Sequence, residues 1–239
     1  MRKIAIIVCD AVAPPLAAEF GEYADMIMAG LAPFSQAQYP ALFEYHCFDA
    51  VMQQLPSDVE AFDGFIITGS THDAYADKPW IEQLAAWIIK VEACKVPLVG
   101  ICFGHQIIAR ALGGEVAKSD KGWGLGVSIN RIEQHKPWMT PKLDTLQLLV
   151  SHQDQVLRRP DSLELIAASD FCPNYMLGKG EHIFTVQGHP EFSLEFERKL
   201  IERKRKLLNE AQYDHALTSL ELPPHSSVVM GWIAQFLAR

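Results

Sequence analysis

Two short stretches carry residue types that do chemistry together. In Leu98-Val99-Gly100-Ile101-Cys102-Phe103-Gly104-His105-Gln106 a buried-strand run enters Gly-x-Cys-x-Gly and then a helical pattern. Glycines on both sides of a cysteine let the chain turn sharply, so the thiol stands exposed where strand gives way to helix. The N-terminus of that helix favours a thiolate, and its amides can receive an oxyanion. As an inert core cysteine, Cys102 would leave this setting unused. The second stretch, Phe184-Thr185-Val186-Gln187-Gly188-His189-Pro190-Glu191, places a histidine directly after a strand. The proline favours an extended chain, so His189 and Glu191 project to the same side and the carboxylate can orient the imidazole. Cys102, His189 and Glu191 thus form a candidate nucleophile, proton carrier and orienting group.

Other candidates stand beside these. His105, one turn into the elbow helix, is better suited to fixing the turn than to abstracting a proton. His152, in Ser151-His152-Gln153-Asp154, competes with His189 on loop position, and spacing alone leaves that choice open. Cys9, Cys47, Cys94 and Cys172 lack the elbow setting, and Cys9, Cys47 and Cys94, within or beside apolar elements, read as core or surface residues.

The elements that must position these groups follow from hydrophobic patterning. Continuous apolar runs at Ile4 to Val8, Phe65 to Ile67, Leu98 to Ile101 and Ile183 to Val186 predict strands buried on both faces. Pro79 to Cys94 carries the apolar stripe of a helix. Alternating elements of this kind predict an α/β fold: a doubly wound, mostly parallel sheet flanked by helices. The alternation in Val127 to Ile132 and the run Leu146 to Val150, with no long helix between them, predict appended antiparallel strands. Helices are expected over Leu194 to Glu210 and His225 to Leu237, and Trp80, Trp87 and Trp232 in the core.

The 239 residues, 49% of them hydrophobic, suit one domain, and the net charge of -8 argues against a nucleic-acid surface. The basic run Arg203-Lys204-Arg205-Lys206 reads as a solvated helix face beside Glu202 and Glu210. No apolar stretch is long enough to span a membrane, and nothing resembles a signal peptide. Five cysteines without a C-x-x-C pair favour a reducing compartment, so a cytoplasmic protein is expected.

The two motifs together resemble the class I (triad) glutamine amidotransferase family, in which a Gly-x-Cys-x-Gly-His-Gln elbow pairs with a downstream His-Pro-Glu. The resemblance runs from about Lys3 to Phe192, leaving helices in the remainder of a single domain. It implies a flavodoxin-like core, with Cys102 as nucleophile, His189 as base and then acid, and Glu191 as its orienter. Gly69, in Phe65-Ile66-Ile67-Thr68-Gly69-Ser70, and Phe103 would then offer oxyanion-hole amides, while Gln106, Ser151, His152, Gln153 and Asp154 would hold the glutamyl group. Thr68-Gly69-Ser70 and Gln153 depart from the amidotransferase domain of GMP synthetase and look more like free-standing members such as plant γ-glutamyl peptidases.

The expected reaction is hydrolysis of a γ-glutamyl amide, in glutamine or a γ-glutamyl peptide, through a Cys thioester. It needs no metal or organic cofactor. No acceptor domain or pyrophosphate loop is visible after Phe192, so any synthetase partner would be a separate polypeptide. The alternatives are a glutaminase subunit feeding such a partner, a non-catalytic sensor of a glutamyl ligand, and a Cys-elbow esterase. Asp73 to Pro79, Trp123 and Gln134 to Asp144 are candidate specificity loops.

Overall fold

The computed structural model of the chain describes residues 1–36 and 42–239. Strands β1 (Arg2–Val8), β2 (Phe43–Asp49), β3 (Gly64–Ile67), β4 (Leu98–Ile101) and β11 (Ile183–Val186) are parallel and lie in the order β2-β1-β3-β4-β11. Four antiparallel strands extend the same sheet beyond β11: β10 (Met176–Lys179), β9 (Glu164–Ala168), β6 (Gly124–Ile132) and β7 (Thr145–His152). A separate antiparallel pair is formed by β5 (Glu115–Lys118) and β8 (Asp154–Arg158).

The central strands read as unbroken apolar runs because both faces of the sheet are covered, and the period of two divides each strand between the faces. Ile4 and Ile6 of β1, Ile66 of β3, Val99 and Ile101 of β4 and Phe184 and Val186 of β11 join one core, packed under α2 (Tyr23–Gln36) and α7 (Ser226–Leu237). Ala5, Ile7, Phe65, Ile67, Leu98 and Ile183 point the other way, to α3 (Pro79–Cys94) and α4 (Phe103–Ala111). Trp80, Trp87 and Trp232 are buried, as expected.

Three expectations are corrected. The helix expected over Leu194 to Glu210 stops early: α5 (Leu194–Arg203) gives way to a 3-10 turn at Arg205–Leu207, and α6 (Glu210–Ser219) begins afresh. Asn209 and Gln212 form a capping box that starts α6, reciprocal bonds satisfying amides that a continuous helix would have used internally. The region Gln134 to Asp144 is not part of the cavity wall described below; the Trp138 ring in it lies 4.4 Å from that of Phe184, tilted against it, and also meets Phe236. Nor is the basic run uniformly solvated, because Lys204 turns inward.

The ring cluster on one sheet face leads to a stability prediction. Phe184 contacts both Trp138 and Phe236, and its truncation opens a void that three elements must shrink to fill. Phe184→Ala is expected to lower unfolding stability by about 3–5 kcal/mol, measured by urea denaturation with an unchanged m-value.

Candidate active site

Parallel strands in adjacent positions end at the same edge of a sheet, and open α/β sheets bind ligands at that edge. Here β3, β4 and β11 are neighbours, and the residues after them are Gly69, Cys102 and His189. Direction alternates through β10, β9 and β6, so β7 again ends at this edge and β6 begins there. That parity brings Ser151 to Asp154 and Trp123 to the same cavity, of about 310 Å³.

Cys102 occupies the turn between β4 and α4 with φ 51° and ψ -99°, a left-handed backbone that costs a non-glycine residue strain and is found mainly where function needs it. Its amide donates to Val186 O at 2.9 Å, tying the turn to β11. The flanking glycines permit the close approach: a Cβ on Gly100 would lie 2.6 Å from the Gly104 carbonyl group, and one on Gly104 would lie 2.4 Å from Ile67 O.

His189 is buried, with Nδ1 2.7 Å from a Glu191 carboxylate oxygen. Phe192 stacks on the ring at 3.9 Å and 6°, fixing its plane, and the His189 amide donates to Leu149 O. Burial works against the imidazolium, but the Glu191 carboxylate and then the Cys102 sulfur outweigh it and raise the His189 pKa to about 10. With Nδ1 engaged by Glu191, Nε2 is left for the sulfur. Gly69 closes the group: a Cβ there would lie 2.8 Å from His189 Cε1 and 3.7 Å from Cys102 Cβ. Phe103 sends its ring into the core against Trp80, so only its backbone is at the elbow.

The other expected site residues divide. Gln106, Ser151, His152, Gln153 and Asp154 all line the cavity. Gln106 Nε2 donates to Asp154 O at 2.9 Å and to Gln187 Oε1 at 3.2 Å. The His152 ring is fixed by Asp154 O, and burial lowers its pKa to about 4, so it is a neutral wall residue rather than a base paired with the thiol. His105 points away, hydrogen-bonded to Thr185 at 2.8 Å in the core under α4, in keeping with a structural residue. Burial followed by the neighbouring Asp73 raises the Asp154 pKa to about 6.

Three further groups were not singled out in the sequence. Gln187 donates from Nε2 toward Cys102 Sγ at 3.5 Å; its place directly after β11 and two residues before His189 was the available signal. Glu197 of α5 is wholly buried, accepts from the Gly126 amide at 3.1 Å and is pushed up to about 8 by burial, while the charges of His189 and Lys204 act in the opposite direction. Lys204 reaches the cavity wall and donates to Ser151 Oγ at 3.1 Å. A larger groove of about 750 Å³ shares Trp123 with the cavity, but Cys102 and His189 do not line it.

Among the described residues no cluster of three or more His, Cys, Asp or Glu side chains is placed to hold a metal ion, and no helix is long and apolar enough to cross a membrane. Cys9 and Cys172 are buried, and that burial drives their thiols upward, Cys172 to about 12.

Comparison with known proteins adds a lineage to this geometry. The glutamine amidotransferase class-I family model matches residues 37–207. γ-Glutamyl peptidase 3 of Arabidopsis thaliana is 34% identical over 188 residues, covering 74% of this chain and 76% of the relative. γ-Glutamyl peptidase 5 of the same plant is 34% identical over 189 residues, with 74% of each chain covered. Among solved structures, a glutamine amidotransferase from Methylobacillus flagellatus superposes with a TM-score of 0.74 at 22% identity, covering 100% of this chain and 93% of that one, and so supports the fold. With the family model spanning most of the sequence and relatives aligned over three quarters of their length, the chain belongs to the class I glutamine amidotransferase family.

Proposed function

We propose that the protein is an autonomous γ-glutamyl hydrolase acting as one domain through a Cys102-His189-Glu191 triad. The observation that carries this reading is the buried Glu191-His189 pair at 2.7 Å, aimed at a cysteine held in a left-handed elbow. Its relatives named γ-glutamyl peptidases support the choice of bond.

Cys102 Sγ attacks the γ-carbonyl carbon, and the carbonyl electrons move to an oxygen received by the Gly69 and Phe103 amides. Collapse breaks the C–N bond, and the His189 imidazolium gives its proton to the departing ammonia or amine, leaving a γ-glutamyl thioester. Neutral His189 then takes a proton from water as the hydroxide attacks, and glutamate leaves as the thiolate reforms. Loss of one oxyanion donor costs about 100- to 1,000-fold in a comparable acyl-transfer enzyme. Gln106 and the segment Ser151 to Asp154 hold the glutamyl amino and carboxylate groups.

The role given to Glu191 sets a pH prediction. A raised histidine pKa keeps the imidazolium present until pH climbs through the folded value, so the charged pair persists into alkaline solution. Glu191→Gln removes the largest influence opposing burial, and the pKa falls. The alkaline limb of kcat/KM is expected to move to lower pH, with kcat reduced by about 100-fold. An unchanged limb would exclude Glu191 as the charged partner.

Glutamate release from glutamine and several γ-glutamyl peptides, by the purified protein alone, tests the overall reading. Release from peptides without any added protein is expected. Release that appears only when a synthetase is added would instead identify a partner-dependent glutaminase subunit, and ester hydrolysis without amide hydrolysis an esterase.

A further inference from the structure

Of the four adjacent basic residues from Arg203 to Lys206, three are exposed and one turns inward. Lys204 donates to Ser151 Oγ at 3.1 Å, its ammonium lies 5.3 Å from the centre of the Trp123 ring, and both partners line the cavity that holds Cys102. Among the described residues its contacts are a hydroxyl and an aromatic face, with no carboxylate within ion-pair reach. Withdrawing an ammonium from water is unfavourable unless an anion meets it directly, and Glu197 and the Cys102 sulfur act on Lys204 only through space, so a side chain kept there is suited to a ligand that brings an anion into contact. Burial lowers the pKa of Lys204, while Glu197 and the Cys102 sulfur act to raise it.

Elsewhere in the same cavity wall the charge is reversed. Asp73 and Asp154 stand close enough to interact as like charges. The cavity therefore offers anionic and cationic groups around a nucleophile, in a volume of about 310 Å³ that suits an amino-acid-sized zwitterion.

We propose that Lys204 is a specificity residue whose ammonium, held by Ser151 and Trp123, receives a carboxylate of the substrate. This rests on the γ-glutamyl reading above for the identity of the substrate, but the placement of the cation does not. A γ-glutamyl peptide carries two such carboxylates, one on the glutamyl α-carbon and one at the end of the leaving group, and Lys204 would bind either by the same charge-assisted hydrogen bond.

The test compares wild type with Lys204→Met, which keeps the aliphatic stem over Trp123 but removes the charge, and with Lys204→Arg, which restores it. Lys204→Met is expected to raise KM by about 10- to 100-fold with kcat changed by less than about threefold. Lys204→Arg should recover most of the loss. Two substrates separate the sources: γ-glutamylglycine carries both carboxylates, and γ-glutamylmethylamide lacks the one on the leaving group. Equal losses place Lys204 at the α-carboxylate, and a loss confined to γ-glutamylglycine places it at the leaving group; either supports the proposal. An unchanged KM on both substrates overturns it.

A second readout does not need hydrolysis. Cys102 is alkylated, with displacement of iodide, by iodoacetate, which carries a carboxylate, and by neutral iodoacetamide. The ratio of the two rates is expected to fall by about tenfold in Lys204→Met and to return in Lys204→Arg. If the wild-type protein hydrolyses no γ-glutamyl substrate, the proposed function fails; a fallen ratio would still support an anion-receiving Lys204, and an unchanged one would overturn it.

Discussion

Cys102→Ser is expected to lower kcat for γ-glutamyl hydrolysis by about 10⁴-fold or more while the protein remains folded, with Tm within about 2 °C of wild type. The substitution exchanges sulfur for oxygen in a side chain that is almost completely buried between Gln187 Nε2 and the His189 imidazole, so packing changes little. The chemistry changes greatly, because a serine hydroxyl must be deprotonated during attack, and His189 is arranged to hold an imidazolium beside an anion. The His189 pKa of about 10 depends in part on the sulfur, so in the variant it is expected to fall, which NMR titration of the imidazole can follow. Residual glutamate release near wild-type levels would remove Cys102 from the reaction.

The second large effect is at the elbow. Gly104→Ala places a methyl group 2.4 Å from Ile67 O, and that oxygen belongs to the backbone of β3 in the middle of the sheet. It cannot rotate away as a side chain would, so α4 must lift from β3. The expected cost is about 3 kcal/mol in unfolding stability. The same displacement moves the Phe103 amide away from the Gly69 side of the site, so kcat is expected to fall by about 100-fold even in the folded fraction. A variant with wild-type stability and kcat would show that close packing of the elbow does not hold the site.

Much of this arrangement was legible because it is encoded locally. The runs Leu98 to Ile101 and Ile183 to Val186 and the stripe from Pro79 to Cys94 coincide with β4, β11 and α3, each marked by breakers and by a single unmistakable period. The elbow was legible for the same reason: paired glycines around a cysteine at a strand-to-helix switch have a steric meaning that survives without tertiary context. His189 and Glu191 are two residues apart in the chain, so their pairing was legible locally, although Pro190 and Glu191 lie in a turn closed by the Phe192 amide on His189 O at 3.5 Å and not in the extended segment expected.

What escaped depends on long-range geometry. Lys204 looked like its exposed neighbours because its inward turn follows from α5 ending at Arg203, and that end is set by the 3-10 turn and the fresh start at Asn209. The capping pair Asn209 and Gln212 was readable, but the helical pattern running through it was stronger. His152 could not be separated from His189 by spacing. Only the sheet order shows that it ends β7, four strands away from β11, with its ring fixed by Asp154 O. Trp138 sits in an irregular segment that resembles a specificity loop, yet it fills the core beside Phe184. Glu197 gives no local sign of burial, since it sits among Glu195, Arg198 and Lys199 on a helix of mostly polar composition.

Partitioning with hydroxylamine tests whether hydrolysis passes through a γ-glutamyl thioester on Cys102. Hydroxylamine added during turnover of a γ-glutamyl peptide should intercept the acyl group before water does. γ-Glutamyl hydroxamate is expected to rise with hydroxylamine at the expense of glutamate, and both products are expected to be lost in Cys102→Ser. Glutamate release by the wild-type protein with no hydroxamate at any hydroxylamine concentration would contradict it, pointing to direct attack by water.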